Sequence, residues 1–342
     1  MSQQREPPLP SSHDRTIDGA GWIDQTRRNP WVRFGVQRTV SAVLIAFSLV
    51  VAVFLMVRLL PGDPARLVAG SHASPEQLAA IRHQLGLDRS AIGQFGSYMG
   101  DLSHLRLGTS FQTGETVNRV IAERLPKTAE LAGVSVALTL LLSIPLGLAA
   151  AALTRDGRNR AFGALFSGTT GLVASLPVFL IGSLLAFAFA VELQWLPIAG
   201  SDSLDSIVLP ALSVSLLPIA LLARIVRLEA LSVLGQDYVK TARSKRLPAR
   251  TIYLRHILPN VVAGTLTIAG VMFAQLIGGV VIVENIFAWP GLGTVLVQAV
   301  SSHDYPVVQG VTLLLGFVLV VTNAFVDVVL ALMDPRSLVT RT

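Results

Sequence analysis

Residues 236–260 read QDYVKTARSKRLPARTIYLRHILPN, and this polar interval decides how the rest of the chain is read. It lies between two strongly apolar runs, 207–227 and 261–284, and carries six basic residues: Lys240, Arg243, Lys245, Arg246, Arg250 and Arg255. Glu229 to Lys245 has the composition of one helix. Pro248 stops it and can open a second, 249–257, that ends at Pro259. The expected product is a helix-turn-helix elbow on the cytoplasmic surface. Two readings stand side by side here: a basic patch held by anionic lipid, and a surface offered to a cytoplasmic partner.

Working outward, the chain has 342 residues, 52% of them hydrophobic and only 14% charged. Soluble domains carry roughly 25% charged residues. With several runs near 20 apolar residues, that deficit indicates an all-α, polytopic membrane protein. The runs are too long and too continuous for the strands of an outer-membrane barrel. The chain has no Cys, which excludes disulfides, thiol chemistry and Cys-ligated metals. The formal charge of +6 and pI near 10.3 are explained by cytoplasmic loop bias, without nucleic acid.

The predicted order begins with a disordered cytoplasmic tail, 1–38, whose Arg27, Arg28, Arg33 and Arg38 hold the N-terminus inside. Span one, 39–60, ends at Leu60-Pro61-Gly62-Asp63-Pro64. It is too long for a signal-peptide core, and no cleavage site follows it. An extracytoplasmic helical segment covers 61–129: Ser74-Pro75-Glu76-Gln77 is a capping box, Gly86 ends that helix, and a second amphipathic stretch spans 89–104. A core from 117 to 331 then holds spans two to six, at 130–153, 161–191, 207–227, 261–284 and 306–332. Pro177 is expected to kink span three. Two sets of small residues four apart, Gly163, Ser167, Gly171, Ser175 and Gly270, Ala274, Gly278, predict close helix approach. Inside loops carry the basic residues, three in 154–160 and eight in 224–255, and the short outside loops have none. Six spans with both termini cytoplasmic, the second being the tail 333–342, satisfy that bias.

Chemistry-bearing motifs are few. The three lysines, Lys127, Lys240 and Lys245, follow Pro, Val and Ser, so a phosphate-binding loop in its standard form is excluded and the chain is not expected to be an enzyme. No HExxH pair exists, and all six histidines lie outside the predicted spans, so no metal site is expected. Gly108-Thr109-Ser110 lacks any supporting base and reads as a turn. Polar groups inside spans are Gln275, Glu284, Asn323 and Asp327. They are candidates for a proton or substrate relay, or for interhelical hydrogen bonds.

The elbow resembles the cytoplasmic loop of type I ABC importer permeases of the dipeptide/oligopeptide (and nickel) class. That class tends to read Tyr-Val-x-Thr-Ala-Arg-Ala-Lys-Gly-Leu and then His-Ala-Leu-x-Asn. Here the residues are Tyr238-Val239-Lys240-Thr241-Ala242-Arg243-Ser244-Lys245-Arg246-Leu247 and then His256-Ile257-Leu258-Pro259-Asn260. Further similarities are Leu60 to Pro64, Leu85-Gly86-Leu87-Asp88, Leu107-Gly108-Thr109-Ser110, Glu284 to Gly293, Asp304-Tyr305-Pro306, and Asn323, Asp327 and Asp334-Pro335-Arg336. Two departures stand out: Arg246 occupies the elbow's glycine position, and Leu105-Arg106 replaces a Gly-Asp.

The resemblance implies a type I ABC permease fold and a transport subunit in the cytoplasmic membrane of a bacterium or archaeon. Tyr238, Thr241, Ala242, Arg243, Lys245, Leu247, His256, Leu258 and Pro259 would couple it to an ATPase. Its implied partners are a second homologous permease, one or two cytoplasmic ABC ATPases and an extracytoplasmic substrate-binding protein. ATP and Mg would be bound in partner subunits, and no cofactor by this chain. Implied substrates are di- or oligopeptides, with nickel or another small solute as alternatives. A reading of another class is a proton-coupled carrier that works without an ATPase.

Overall fold

A computed structural model describes residues 30–59, 64–69, 73–84 and 86–333. Within them every regular element is helical, apart from one isolated antiparallel bridge between Thr109 and Thr116. The tail 1–29, the span-one stop at 60–63 and the C-terminal residues 334–342 lie outside the described residues.

Helix α1 runs from Pro30 to Leu59, so it begins earlier than the apolar run. Arg33 and Arg38 are good helix formers, and a hydropathy boundary is not a helix boundary. Three short helices follow: α2 (Pro64–Ala69), α3 (Pro75–Gln84) and α4 (Ala91–Ser103). The capping box at α3 is reciprocal. Ser74 N donates to Gln77 Oε1 at 3.0 Å, and Gln77 N donates to Ser74 Oγ at 3.2 Å.

Helix α5, Val117–Thr154, is 38 residues long and starts well before the expected position 130. Its charged first part stays helical through Arg119–Glu123 and Lys127–Glu130 pairs at 2.9 and 3.2 Å. The next span is broken. Helices α6 (Arg160–Ser175) and α7 (Val178–Leu185, extended by π-type turns to Glu192) meet at 104°. Proline at 177 pushes the preceding residue out of the helical region, and Leu176 sits at φ −87°, ψ 132°. The expected kink is thus a full break.

Helix α8 (Val208–Leu234) is the centre of the packing. It lies against α5, α6, α7 and α10 (Leu258–Ile286), while α12 (Tyr305–Met333) bridges α10 to α1. A shorter helix, α11 (Leu292–Ser301), fills the connection between α10 and α12. The most extensive packing is that of α5 on α8. Ser135, Thr139 and Ser143 are buried there, and a Cβ at Gly147 would stand 2.5 Å from Val226 Cβ. This stripe of small residues four apart was legible in the chain. It makes this contact, and of the two stripes singled out Gly270 makes a comparable one, where a Cβ would stand 2.6 Å from Val326 Cγ1. Of the α6 stripe, Ser167 and Ser175 are exposed and only Gly163 nears another element, at Thr154 and Arg227. Of the α10 stripe, Gly270 packs on Val326 while Gly278 has open space.

Four helices among the described residues are long and apolar enough to cross a membrane: Val32–Met56, Val117–Gly157, Leu204–Leu234 and Tyr305–Val329. The bent pair Arg160–Glu192, taken as one, makes five. The remaining expected span corresponds to α10, a continuous helix of 29 residues, several of whose side chains lie outside the described set.

Candidate functional site

The elbow departs from the expected single helix over Glu229–Lys245. Helix α8 ends at Leu234, Gly235 and Gln236 form a break, and helix α9 spans Asp237–Ser244. Glycine is a poor helix former, and Gln236 is extended at φ −72°, ψ 149°. The new N-terminus carries Asp237, which suits the positive end of the helix dipole and accepts a hydrogen bond from Lys240 Nζ at 2.9 Å. That bond, with the charge of Lys240, holds the Asp237 carboxyl below its ordinary value.

The far end of α9 closes as a Schellman motif. Leu247 N donates to Ala242 O at 3.3 Å and Arg246 N to Arg243 O at 2.8 Å. Arg246 takes the left-handed position, φ +53°. That conformation favours glycine, and another L-residue there costs roughly 1 kcal/mol. Pro248 then opens the second arm at Ala249.

The second arm does not end at Pro259. It passes through π-type turns, Ile252–Ile257, directly into α10. The wider winding displaces the carbonyl that the Pro259 ring would otherwise strike, so the proline sits inside the first turn of α10 without breaking it. Elbow and spanning helix are therefore one continuous rod.

Burial sorts the residues of the elbow, the predicted coupling residues among them, into three sets. Val239 and Ala242 are 0% and 6% exposed and pack on Ala230, Leu234, Ile252 and Ile257. Ala242 thus faces this chain's own core. Tyr238, Thr241, Lys245, Leu247 and Pro259 are exposed, while Arg243, His256 and Leu258 are half-buried. Asn260 joins the arms: its Nδ2 donates to His256 O at 2.8 Å and to Tyr238 Oη at 3.3 Å. The His256 to Asn260 spacing, one helical turn, was the available signal for that clasp.

The polar residues expected inside spans do not converge. Asp327 Oδ1 accepts from Arg38 Nη2 at 2.7 Å, tying α12 to α1. Asn323, one turn earlier, is exposed. The side chain of Gln275 lies outside the described residues.

Glu284 sits at the opposite end of α10 from the elbow and is 0% exposed. Its Oε2 accepts the backbone N–H of Gly293 at 2.6 Å, in the first turn of α11. Leu292 N donates to Thr128 Oγ1 at 2.8 Å, and Trp289 Nε1 donates to Lys127 O at 2.9 Å. A carboxylate from one helix and a hydroxyl from another thus cap the N-terminus of α11. A Cβ at Gly293 would stand 2.5 Å from Val281 Cα, so the glycine is required for this closeness. Near this end, Ser110 Oγ donates to buried Asp304 Oδ2, and Phe111 N donates to Oδ1 at 3.0 Å. Ser110 also accepts from Gln112 N and Thr113 N at 3.2 and 3.0 Å, the geometry of a turn. A cleft of about 240 Å³ lies alongside, lined by Ser110, Glu115, Glu123, Arg124, Gln298 and Asp304 among others.

Comparison with known proteins places this arrangement. Residues 143–339 match the family model described as binding-protein-dependent transport system inner membrane component, and residues 31–132 match the model of its N-terminal part. A putative peptide transport system permease protein of Brucella abortus is 41% identical over 309 residues, covering 88% of this chain and 97% of that protein. The glutathione transport system permease protein GsiC of Salmonella typhimurium is 36% identical over 304 residues, covering 89% and 98%. An inward-facing structure of the MetNI methionine ABC transporter shares the fold, with a TM-score of 0.51, 17% identity, and 63% of this chain and 96% of that one covered. The chain belongs to the family of binding-protein-dependent transport system inner membrane components, and is a multi-pass permease subunit of an ABC importer.

Proposed function

We propose that this permease moves di- or oligopeptides across the cytoplasmic membrane of a bacterium or archaeon, driven by ATP hydrolysis in partner subunits. The observation that carries the mechanism is the continuity of the elbow with α10. The second arm enters the spanning helix without a hinge, and α9 is pinned to both by Val239 and Ala242. Force applied to the exposed face of α9 therefore turns α8 and α10 as a rigid body, the means by which packed helices transmit switching. Tyr238, Thr241, Lys245 and Leu247 are the exposed residues available to the motor, with Arg243 half-buried beside them.

In this reading there are six spans with both termini cytoplasmic, and the elbow is cytoplasmic. Helices α2 to α4 lie outside and offer the docking surface for a substrate-binding protein. The Arg38–Asp327 pair agrees with that topology, since it places the start of α1 beside the last part of α12. A second homologous permease completes the pathway, and one or two ATPases bind ATP and Mg. The peptide assignment is supported by relatives named for peptide and for glutathione transport. The membership shown by the family match leaves a lone proton-driven carrier without support, and the separation of Asp327 from Glu284 offers it no relay.

The test exploits the absence of native cysteine. Thr241→Cys should react with an impermeant maleimide only in inside-out vesicles. Proteoliposomes holding both permeases, the ATPases and the binding protein should accumulate a labelled dipeptide only with ATP. Labelling in intact cells, or uptake under a proton gradient with no ATPase present, would overturn the reading.

A further inference from the structure

The charges around the turn of the elbow are of one sign, the acidic Asp237 lying at the opposite end of α9. Lys245, Arg246 and Arg250 are exposed and Arg243 is half-buried, and none of the four has a carboxylate partner among the described residues. Within α9 and its turn, the single ion pair is Lys240–Asp237. A surface of this kind draws anions from outside the chain. Basic helices that lie on a bilayer hold it by sinking a broad apolar face among the headgroups. Helix α9 has no such face to offer. Val239 and Ala242 are turned onto the chain's own core, and the large apolar side chains left outside on α9 and its turn are Tyr238 and Leu247.

Arg246 adds a second, independent observation. It stands in the left-handed position of the turn, where the resembled class has glycine, and holds φ +53°. The backbone cost is roughly 1 kcal/mol relative to glycine. The guanidinium makes no ion pair among the described residues that offsets it.

We infer that Arg246, flanked by Lys245 and Arg250, is a specificity-determining contact that pairs with acidic side chains on the rim of the ATPase groove receiving the elbow. The inference rests on the coupling reading above. It commits the partner to a particular chemistry: an acidic rim opposite the turn, next to an apolar slot for Tyr238 and Leu247. Rim charges of this kind set partner choice and association rate more than total affinity.

The experiment uses the membrane complex purified with its ATPase subunits. Crosslinking from Thr241→Cys first reads whether the elbow meets an ATPase at all. Absence of any crosslink sinks the coupling reading, and this inference with it. With the crosslink present, Arg246→Gly should keep or raise the melting temperature yet weaken ATPase retention about three- to tenfold, more at low salt than at high salt. Arg246→Glu should weaken it further, and an acid-to-lysine change on the ATPase rim should restore it. Arg246→Gly that holds the ATPase as tightly as the parent, from about 50 mM to about 500 mM salt, overturns the inference. It is equally overturned if the substitution spares ATPase retention and lowers only binding to vesicles containing phosphatidylglycerol.

Discussion

The two ends of helix α10 are built on opposite principles. At the Glu284 end the chain packs on itself: Glu284, Phe287, Trp289 and Leu292 are all within 1% of complete burial, and the amides of α11 are capped from α5 and α10. At the elbow end the apolar residues hold the two arms together, and the turn cations Lys245, Arg246 and Arg250 have no carboxylate partner among the described residues. The same backbone device appears at both. A Schellman turn closes α10 with Ala288 at φ +46°, and another closes α9 with Arg246 at φ +53°. Both positions are exposed: Ala288 presents only a methyl there, while Arg246 presents a long cation. One end is a joint internal to the chain, and the other leaves its cations on the surface.

The largest effect should come from breaking the internal joint. Glu284→Ala leaves buried amides unsatisfied and opens a cavity, so a loss of about 2–4 kcal/mol is expected. It is read as a lowered thermal midpoint and lost transport in reconstituted complexes. Glu284→Gln keeps one acceptor and should recover much of that loss. An unchanged midpoint for Glu284→Ala would show that α11 is held by something else.

Next comes the inward face of the elbow. Ala242→Glu forces a charge into the packing of Ile252 and Ile257, at a cost of about 2 kcal/mol or more. Protease susceptibility of residues 236–257 should rise in the isolated chain, before any ATPase is added. If only ATPase binding changes, Ala242 belongs to the interface and its burial within the chain is misleading.

Smaller effects sharpen the contrast. Arg246→Gly relieves the left-handed turn and should stabilise the isolated chain by up to about 1 kcal/mol, seen as a higher melting temperature. Asp327→Asn removes a partly exposed pair and should cost about 1 kcal/mol or less, leaving transport intact. Abolished transport in a normally folded Asp327→Asn would favour a relay. Smallest is Asp237, fully exposed at the start of α9. Its carboxyl is held low by Lys240, so its contribution is present at neutral pH and lost as pH falls through that lowered value. Helix content in α9 of the parent should therefore drop in acid, and Asp237→Asn should flatten that dependence.

Much of the fold was legible in the chain. The long apolar runs are helical in the structure, with α1, α5 and α8 running past the hydropathy boundaries, because the cost of exposing a backbone to lipid makes such runs helical wherever they pack. The Ser74–Gln77 box and the Pro248 start of the second arm were equally readable, since each depends on residues only a few positions apart. The misreadings have the same physical origin as the successes. Pro259 looked like a stop, and a stretch of wide turns carried the helix past it. The small residues of α6 promised a contact that the fold gives to Ser135, Thr139, Ser143 and Gly147 on α5.

By itself the sequence determined the class of molecule, the order of its helices and the existence of a basic elbow, all of which follow from local composition and turn chemistry. Only the tertiary structure decided which residues of the elbow face inward, that Asp327 joins Arg38, and that Glu284 caps a helix from across a junction with Thr128 beside it. These are pairings between residues far apart in the chain. No local preference encodes them, because each depends on which helix faces come together when the apolar surfaces are buried.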